Sequence, residues 1–464
     1  MRRGAGAVSI VGAALAAALV AGACIGRGAP DRPNVLLVTL DTTRLDRLGC
    51  YGGKRGTTPN LDALAADGIR FDAAYSASGS TPQSHASILT GLYPFQHGLR
   101  VIYAPAGHRL PDSVPTLATV LEEKGWNTGA FLSAFTVSEF FGLERGFERW
   151  DNGLAKPVGS ILVQPRQDGP WLWALAPNQR RSDATTDRAL EWLDKARGPF
   201  FAWVHFFDPH DTYIRPPDEI LRRFPPEGSA PLDVKRAIYD AEVYFMDLQI
   251  GRIVSALKSA GQYENTIVVV VADHGEGLGD HGWPGHQLLY QEQIHVPLLV
   301  RLPGGPRGKT VAGVVRTIDI FPTVLDQLGI APPGRMKEHS LRRLIAGETE
   351  PPRIAYAEQL NEFDLNADVL RGRPLDGRLY CVTDGAWKLI LRRNLPDRSE
   401  LFLTADDPGE LGNRYGDARE EATRLLAILD AMQPYRDQPF GEGEGDREAL
   451  ERLRSLGYVG RPAQ

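Results

Sequence analysis

The chain has almost no cysteine: three residues in 464, at positions 24, 50 and 381. The two that follow Cys24 cannot build a disulfide framework. No CxxC pair and no Cys/His spacing suits a structural zinc. Cys50 and Cys381 therefore read as buried, inert thiols. Positive charge is not in excess either. The formal net charge is −6, so no nucleic-acid surface is implied, and a polyanion would have to bind in a local pocket. Internal repeats are lacking.

Long hydrophobic runs are lacking too. The one candidate, IVGAALAAALVAGA at residues 10–23, is too short and too rich in alanine for a membrane span. Arginines precede it and Ala21-Gly22-Ala23 closes it. That is the form of an export signal with a small-residue cleavage site. Cys24 then stands where bacterial lipoproteins accept a lipid, although Ala21 occupies a position that usually carries leucine. The expectation is a signal peptide over residues 1–23, a linker over 24–32, and an exported bacterial protein. It would be periplasmic or a membrane-anchored lipoprotein, touching the membrane only through a Cys24 anchor.

What is present is a globular composition, 42% apolar and 24% charged. Five short apolar runs read as buried strands: NVLLVTL (34–40), TGAFLSA (128–134), PFFAWVHFF (199–207), TIVVVVA (266–272) and VPLLVRL (296–302). Helical patterns lie between them, in PNLDALAADG, SVPTLATVLEEKG, the long segment from Asp233 to Gly261, and TIDIFPTVLDQLG. Alternation of this kind predicts an α/β domain with a central, mostly parallel sheet flanked by helices. Past residue 332 the texture changes. RLYCVTDGAWKLILRR reads as a hairpin turning at Asp384-Gly385, which predicts a small C-terminal α+β subdomain. The division is then 33–332 for the catalytic domain, 333–440 for the subdomain and 441–464 for a tail with a short helix.

Three of the apolar strands run into an acid. NVLLVTL leads to Asp41, PFFAWVHFF to Asp208 and His210, TIVVVVA to Asp273 and His274; GHQLLY adds His286. A parallel sheet places all carboxyl ends on one rim, where ligand crevices form. Carboxylates and histidines gathered there suit a divalent metal. Taken singly, each Asp also suits a turn or a helix cap. His205, inside its strand, also suits plain core packing.

The segment STPQSHASILTG, residues 80–91, offers two roles for Thr81. Pro82 behind it is favoured at the first helical position, so Thr81 reads as an N-cap. A helix N-terminus also attracts anions, and a metal-bound hydroxyl there would be a nucleophile.

SHASILTGLYPFQHG resembles the active-site signature of the sulfatase family, within the alkaline phosphatase superfamily. Aligned on Leu89-Thr90-Gly91, the family's modified cysteine or serine falls on Thr81, its serine on Ser84 and its arginine on His85. NVLLVTLDTTRLDRLGCYG, HFFDPHDTY, VADHGEGLGDHG, LYQEQIHVPLLVR and SELFLTADDPGELGNR resemble further family segments, over residues 33–458. The resemblance implies an alkaline-phosphatase-like sandwich and a metal-dependent ester hydrolase. It implies metal ligation by Asp41, Thr81, Asp273 and His274, with Thr81 as nucleophile. His205, Asp208, His210 and His286 would bind substrate or help hold a second ion, and His85 would position Ser84 or Thr81. His281 would either join the site or be a structural loop histidine. Zinc or manganese fits that donor set better than calcium, as one ion or two.

The departures matter. Threonine cannot become formylglycine, Thr42 replaces the usual second acid, and His274 replaces an asparagine. A threonine nucleophile is more similar to the phosphodiesterase, phosphoethanolamine-transferase and lipoteichoic-acid-synthase branches, as are His205 and His210 with Tyr213. The expected activity is hydrolysis of a small anionic sulfate or phosphate ester, or of an envelope glycan or lipid, with phosphodiester or phosphonate chemistry favoured. A transferase acting on envelope acceptors and a non-catalytic binding protein on the same scaffold are the alternatives.

Overall fold

The structure is a computed structural model, and it describes residues 1, 32–104, 106–154, 178–210, 215–364, 367–435, 448, 449, 452 and 453. The expected signal, Cys24, Tyr213 and most of the tail lie outside the described residues. Pro33–Gln464 forms one compact unit.

Its main sheet has eight strands: β1 (Asn34–Leu40), β2 (Ile69–Tyr75), β3 (Asn127–Phe131), β4 (Arg149–Asp151), β5 (Phe200–Phe206), β6 (Thr266–Ala272), β7 (His295–Arg301) and β8 (Lys309–Arg316). They lie in the order β4-β3-β5-β1-β6-β7-β2-β8. β1, β5 and β6 are buried along their whole length, as their unbroken apolar runs require. They are neighbours and parallel, with Leu40 opposite both Phe206 and Ala272. Three strands therefore end at one level on one rim.

The sheet is mixed rather than purely parallel, because β7 runs against both β6 and β2. Two groups of helices flank it. Pro59–Ala66, Ser182–Lys195 and Pro231–Ser259 pack together, and Thr81–Thr90 packs against Ile320–Gln327. The second sheet is antiparallel, ordered β12-β11-β10-β9 from β9 (Ala355–Gln359), β10 (Leu379–Thr383), β11 (Trp387–Arg392) and β12 (Glu400–Leu403). The expected hairpin is its centre: β10 and β11 turn at Asp384, whose Oδ1 accepts from Ala386 N and Trp387 N, while Gly385 takes a φ of +90°. Helix Arg419–Met432 covers β10 and β11.

The turn after β1 leaves the sheet at an unfavourable angle. Thr42 has a φ of +45°, costly for a β-branched residue. The Tyr239 hydroxyl secures it, donating to Thr42 O at 2.6 Å and accepting from Arg44 N at 2.8 Å. Tyr239→Phe leaves both buried backbone groups unpaired, and the expected loss is about 2 kcal/mol or more, read as a lower urea midpoint at unchanged slope.

Candidate active site

Asp41, Asp273 and His274 converge on the rim beyond β1 and β6, each presenting a ligand atom within 4.8 Å of the others. All three side chains are fully buried. The strand register explains the meeting: Asp41 N bonds Phe206 O and Asp273 N bonds Leu40 O, so each acid is the first residue past an aligned strand end.

Each carboxylate is held by one oxygen and open at the other. Asp273 Oδ1 accepts from Thr42 N at 3.1 Å and from His274 N at 2.7 Å. Asp41 Oδ2 lies 3.2 Å from His205 Nε2. The remaining atoms, Asp41 Oδ1 and Asp273 Oδ2, are buried without a hydrogen bond of good geometry, although the Thr81 hydroxyl lies close enough to favour the charged form of both carboxyls. Burial, and then the Asp273 charge, push the Asp41 carboxyl well above its ordinary range, and burial does the same to Asp273. Bare carboxylate oxygens this close, in a dry site, are the donor set a divalent cation satisfies.

His274 completes the set. Its Nδ1–H donates to Gly275 O at 2.9 Å, which turns the Nε2 lone pair toward the Thr81 hydroxyl at 3.2 Å. Burial, and then His286, hold its pKa well below the ordinary value, so the ring is neutral and a competent ligand.

Thr81 is not the cap its neighbour Pro82 suggested. The cap position belongs to Ser80, whose carbonyl accepts from Ser84 N and whose hydroxyl goes to Gln359. Thr81 is thereby moved into the first helical turn, and its side chain is freed to face His274. Ser84 stays within the helix, donating to Ser80 O and Thr81 O. His85 Nδ1–H donates to Thr81 O at 2.8 Å and lies 3.5 Å from Asp273 Oδ2. Burial lowers its pKa to about 4, so it sits there neutral.

Two expected roles change. Asp208 does not reach the cluster. Its carboxylate accepts from Ser182 N and Ser182 Oγ, at 3.1 and 2.7 Å, on the first turn of helix Ser182–Lys195. A helix start offers a carboxylate just such unpaired donors. Burial lifts its pKa to about 7. Asp208 is thus held by Ser182 and stands outside the Asp41, Asp273 and His274 group. His205 likewise turns to protein: Nδ1 accepts from Ser133 N at 3.4 Å, which leaves Nε2–H to hold Asp41.

His210 and His286 do meet at the site. Their rings are 4.9 Å apart, and His286 stacks on His274 at 4.7 Å. The sequence did not single out Glu276, which is buried with Oε2 3.4 Å from His286 Nδ1. The available signal was its place two residues after His274, on the same loop.

Residues 33–330 match the Sulfatase family, and residues 279–433 match the N-sulphoglucosamine sulphohydrolase, C-terminal family. The chain belongs to the sulfatase family of hydrolases. It is 24% identical to an N-acetylglucosamine-6-O-sulfatase of Bacteroides thetaiotaomicron, over 90% of each chain. It is 28% identical to the uncharacterized sulfatase YidJ of Escherichia coli K12, over 88% of each. A solved phosphonate monoester hydrolase of Agrobacterium radiobacter shares the fold, with a TM-score of 0.70 and 24% identity over 87% of this chain and 95% of that one.

The raised carboxyl pKa values set a stability trend. The metal-free fold binds protons that the unfolded chain, with ordinary carboxyls, releases, so its stability falls as pH rises through the raised values. Asp41→Asn removes one of the two charges and keeps an oxygen for His205. In chelator-treated protein its melting temperature should exceed wild type at pH 8, with the gain shrinking toward pH 5.

Proposed function

We propose that this sulfatase-family member is a metal-dependent hydrolase of monoanionic esters, acting through a covalent ester on Thr81, with phosphodiesters and phosphonate monoesters favoured over sulfate esters. The observation that carries the reading is the Thr81 hydroxyl held 3.2 Å from His274 Nε2 beside two bare carboxylate oxygens. Asp41, Asp273, His274 and Thr81 would hold one divalent cation, zinc or manganese by donor type, with calcium the less suited choice. Such an ion makes a bound hydroxyl more acidic and offsets charge on a reacting anion.

In this reading the protein's own residues act as follows. Thr81 Oγ attacks the central phosphorus or sulfur in line, and the alcohol leaves from the opposite side, taking up a proton. His210 and His286 face the non-bridging oxygens. Water then opens the Thr81 ester and restores the hydroxyl. Formylglycine enzymes expel sulfate by collapse to the aldehyde, a route closed to threonine. This is the reason for favouring phosphorus, and the name of the Agrobacterium radiobacter neighbour supports it. The relatives named as sulfatases keep sulfated glycans within the substrate class. The export signal and Cys24 support an envelope location, soluble in the periplasm or lipid-anchored.

The test is a panel of an aryl sulfate, a phosphodiester and a phosphonate monoester with purified protein. Phosphodiester or phosphonate turnover should lead; a sulfate preference by orders of magnitude removes the phosphorus assignment. Thr81→Ala should lower kcat by a factor on the order of 10⁴ or more, and mass spectrometry of acid-quenched wild type should place the trapped group on Thr81. Chelation should abolish turnover. Zinc or manganese should restore it and raise the melting temperature more at pH 8 than at pH 5, because the ion displaces protons from Asp41 and Asp273.

A further inference from the structure

Between His274 and Leu288 the backbone follows a path that side chains resist. Leu278, His281 and Gln287 have φ of +48°, +53° and +72°, interleaved with Gly279 and Gly282 at +94° and +66°. Strain of this density persists only where surroundings impose it. Part of what imposes it is main-chain bonding: Arg44 Nη1 donates to Glu276 O and Gly277 O, and Arg236 Nε donates to Leu278 O. The rest centres on His281.

The His281 ring stacks on Tyr290, with centroids 3.7 Å apart and planes at 5°. Nδ1 lies 3.2 Å from Glu292 Oε1, and Nε2 lies 3.3 Å from Glu410 O. Arg373 Nη1 donates to the His281 carbonyl at 2.9 Å. Both ring partners, a carboxylate and a carbonyl, can only accept. A neutral imidazole has one N–H and satisfies one of them; an imidazolium satisfies both.

Charge agrees with that count. Glu292 and Glu410 are matched by Lys388 and by a protonated His281. Lys388 Nζ sits 2.8 Å from Glu410 Oε1 and 3.1 Å from Oε2, with both side chains fully buried. It neutralises one of the two carboxylates, Glu410, that lie with His281 in this group. Burial opposes the charge on His281, but Glu292 and then Glu410 outweigh it and hold the pKa above the ordinary value. Loss of that proton leaves one acceptor unpaired and a net negative charge in a largely dry cluster.

We propose that His281, as an imidazolium, is a positioning residue: it pins the segment that carries Glu276 and His286 onto Glu410 of the C-terminal region, and so keeps His286 in place beside His274. The clasp is complete below pH 6.5 and is lost as pH rises through the raised value. It stands independently of the reaction assigned to Thr81, because its first readouts need no turnover.

The imidazole resonance of His281, assigned by its loss in His281→Gln, is titrated by NMR in Thr81→Ala protein loaded with zinc. The midpoint should lie above about 6.5 and fall by a unit or more, a tenfold loss of proton affinity, in Glu292→Gln. Amide exchange over residues 276–287, corrected for the intrinsic pH effect, should accelerate through the same midpoint and shift with it. In protein with Thr81 intact, the alkaline limb of kcat/KM should move by the same amount. A midpoint at or below that of free histidine overturns the proposal. So does exchange that ignores His281 protonation, or an alkaline limb that Glu292→Gln leaves in place. A second equivalent of zinc bound by wild type and lost in Glu292→Gln would also overturn it, making the cluster a cation site.

Discussion

The structure turns on a repulsion: two carboxylates, Asp41 and Asp273, held together out of water with one bare oxygen each. Nothing in folding favours this. Each charge loses solvation and gains a like-charged neighbour. The arrangement survives because its cost is spread over a rigid frame. The aligned ends of β1 and β6 fix the backbone, Thr42 N and His274 N hold one oxygen of Asp273, and His205 holds one of Asp41. What the surroundings withhold is a partner for the other two oxygens. A site stabilised only in part by its own protein has kept room for something else, and a doubly charged cation is the smallest group that answers the deficit.

That frame was legible in the sequence because it is made of unbroken apolar runs. β1 and β6 have the boundaries expected of NVLLVTL and TIVVVVA, and the acids that follow them meet as strand-end residues of a parallel sheet must. Legibility stops where burial becomes one-sided. β2, with Arg70 and Asp72 inside it, and β8, half-exposed on the sheet edge, carry no continuous run and were not foreseen. The antiparallel direction of β7 was equally hidden, since a fully buried strand looks the same from either end.

Among the site residues the same physics decides which ones sheet geometry brings together. Asp41, Asp273 and His274 follow their strands directly, so sheet geometry fixes where they go. Asp208 also follows its strand, but a helix start lies within reach, and Ser182 captures it. Asp208 stands one residue further past its strand end than Asp41 and Asp273 do, so it meets the donors of a helix start instead of the rim. Thr81 shows the converse. Its neighbour Pro82 marks a helix start, yet Ser80 takes the capping position one residue earlier, and a one-residue shift on a helix turns a side chain by about a quarter-turn.

The protonation state of His85 bears on the same rim. A charged side chain at that position would add a fixed positive charge beside carboxylates whose deficit a divalent cation can meet alone. His85 is buried and held neutral, and it spends its Nδ1–H on the Thr81 carbonyl, bracing the first helical turn rather than contacting the reacting anion. The orientation of the Thr81 hydroxyl therefore rests on the helix, and its polar surroundings on the rim carboxylates and His274. Position and electrostatic surroundings come from different elements, the helix start and the sheet edge, so either can change without rebuilding the other.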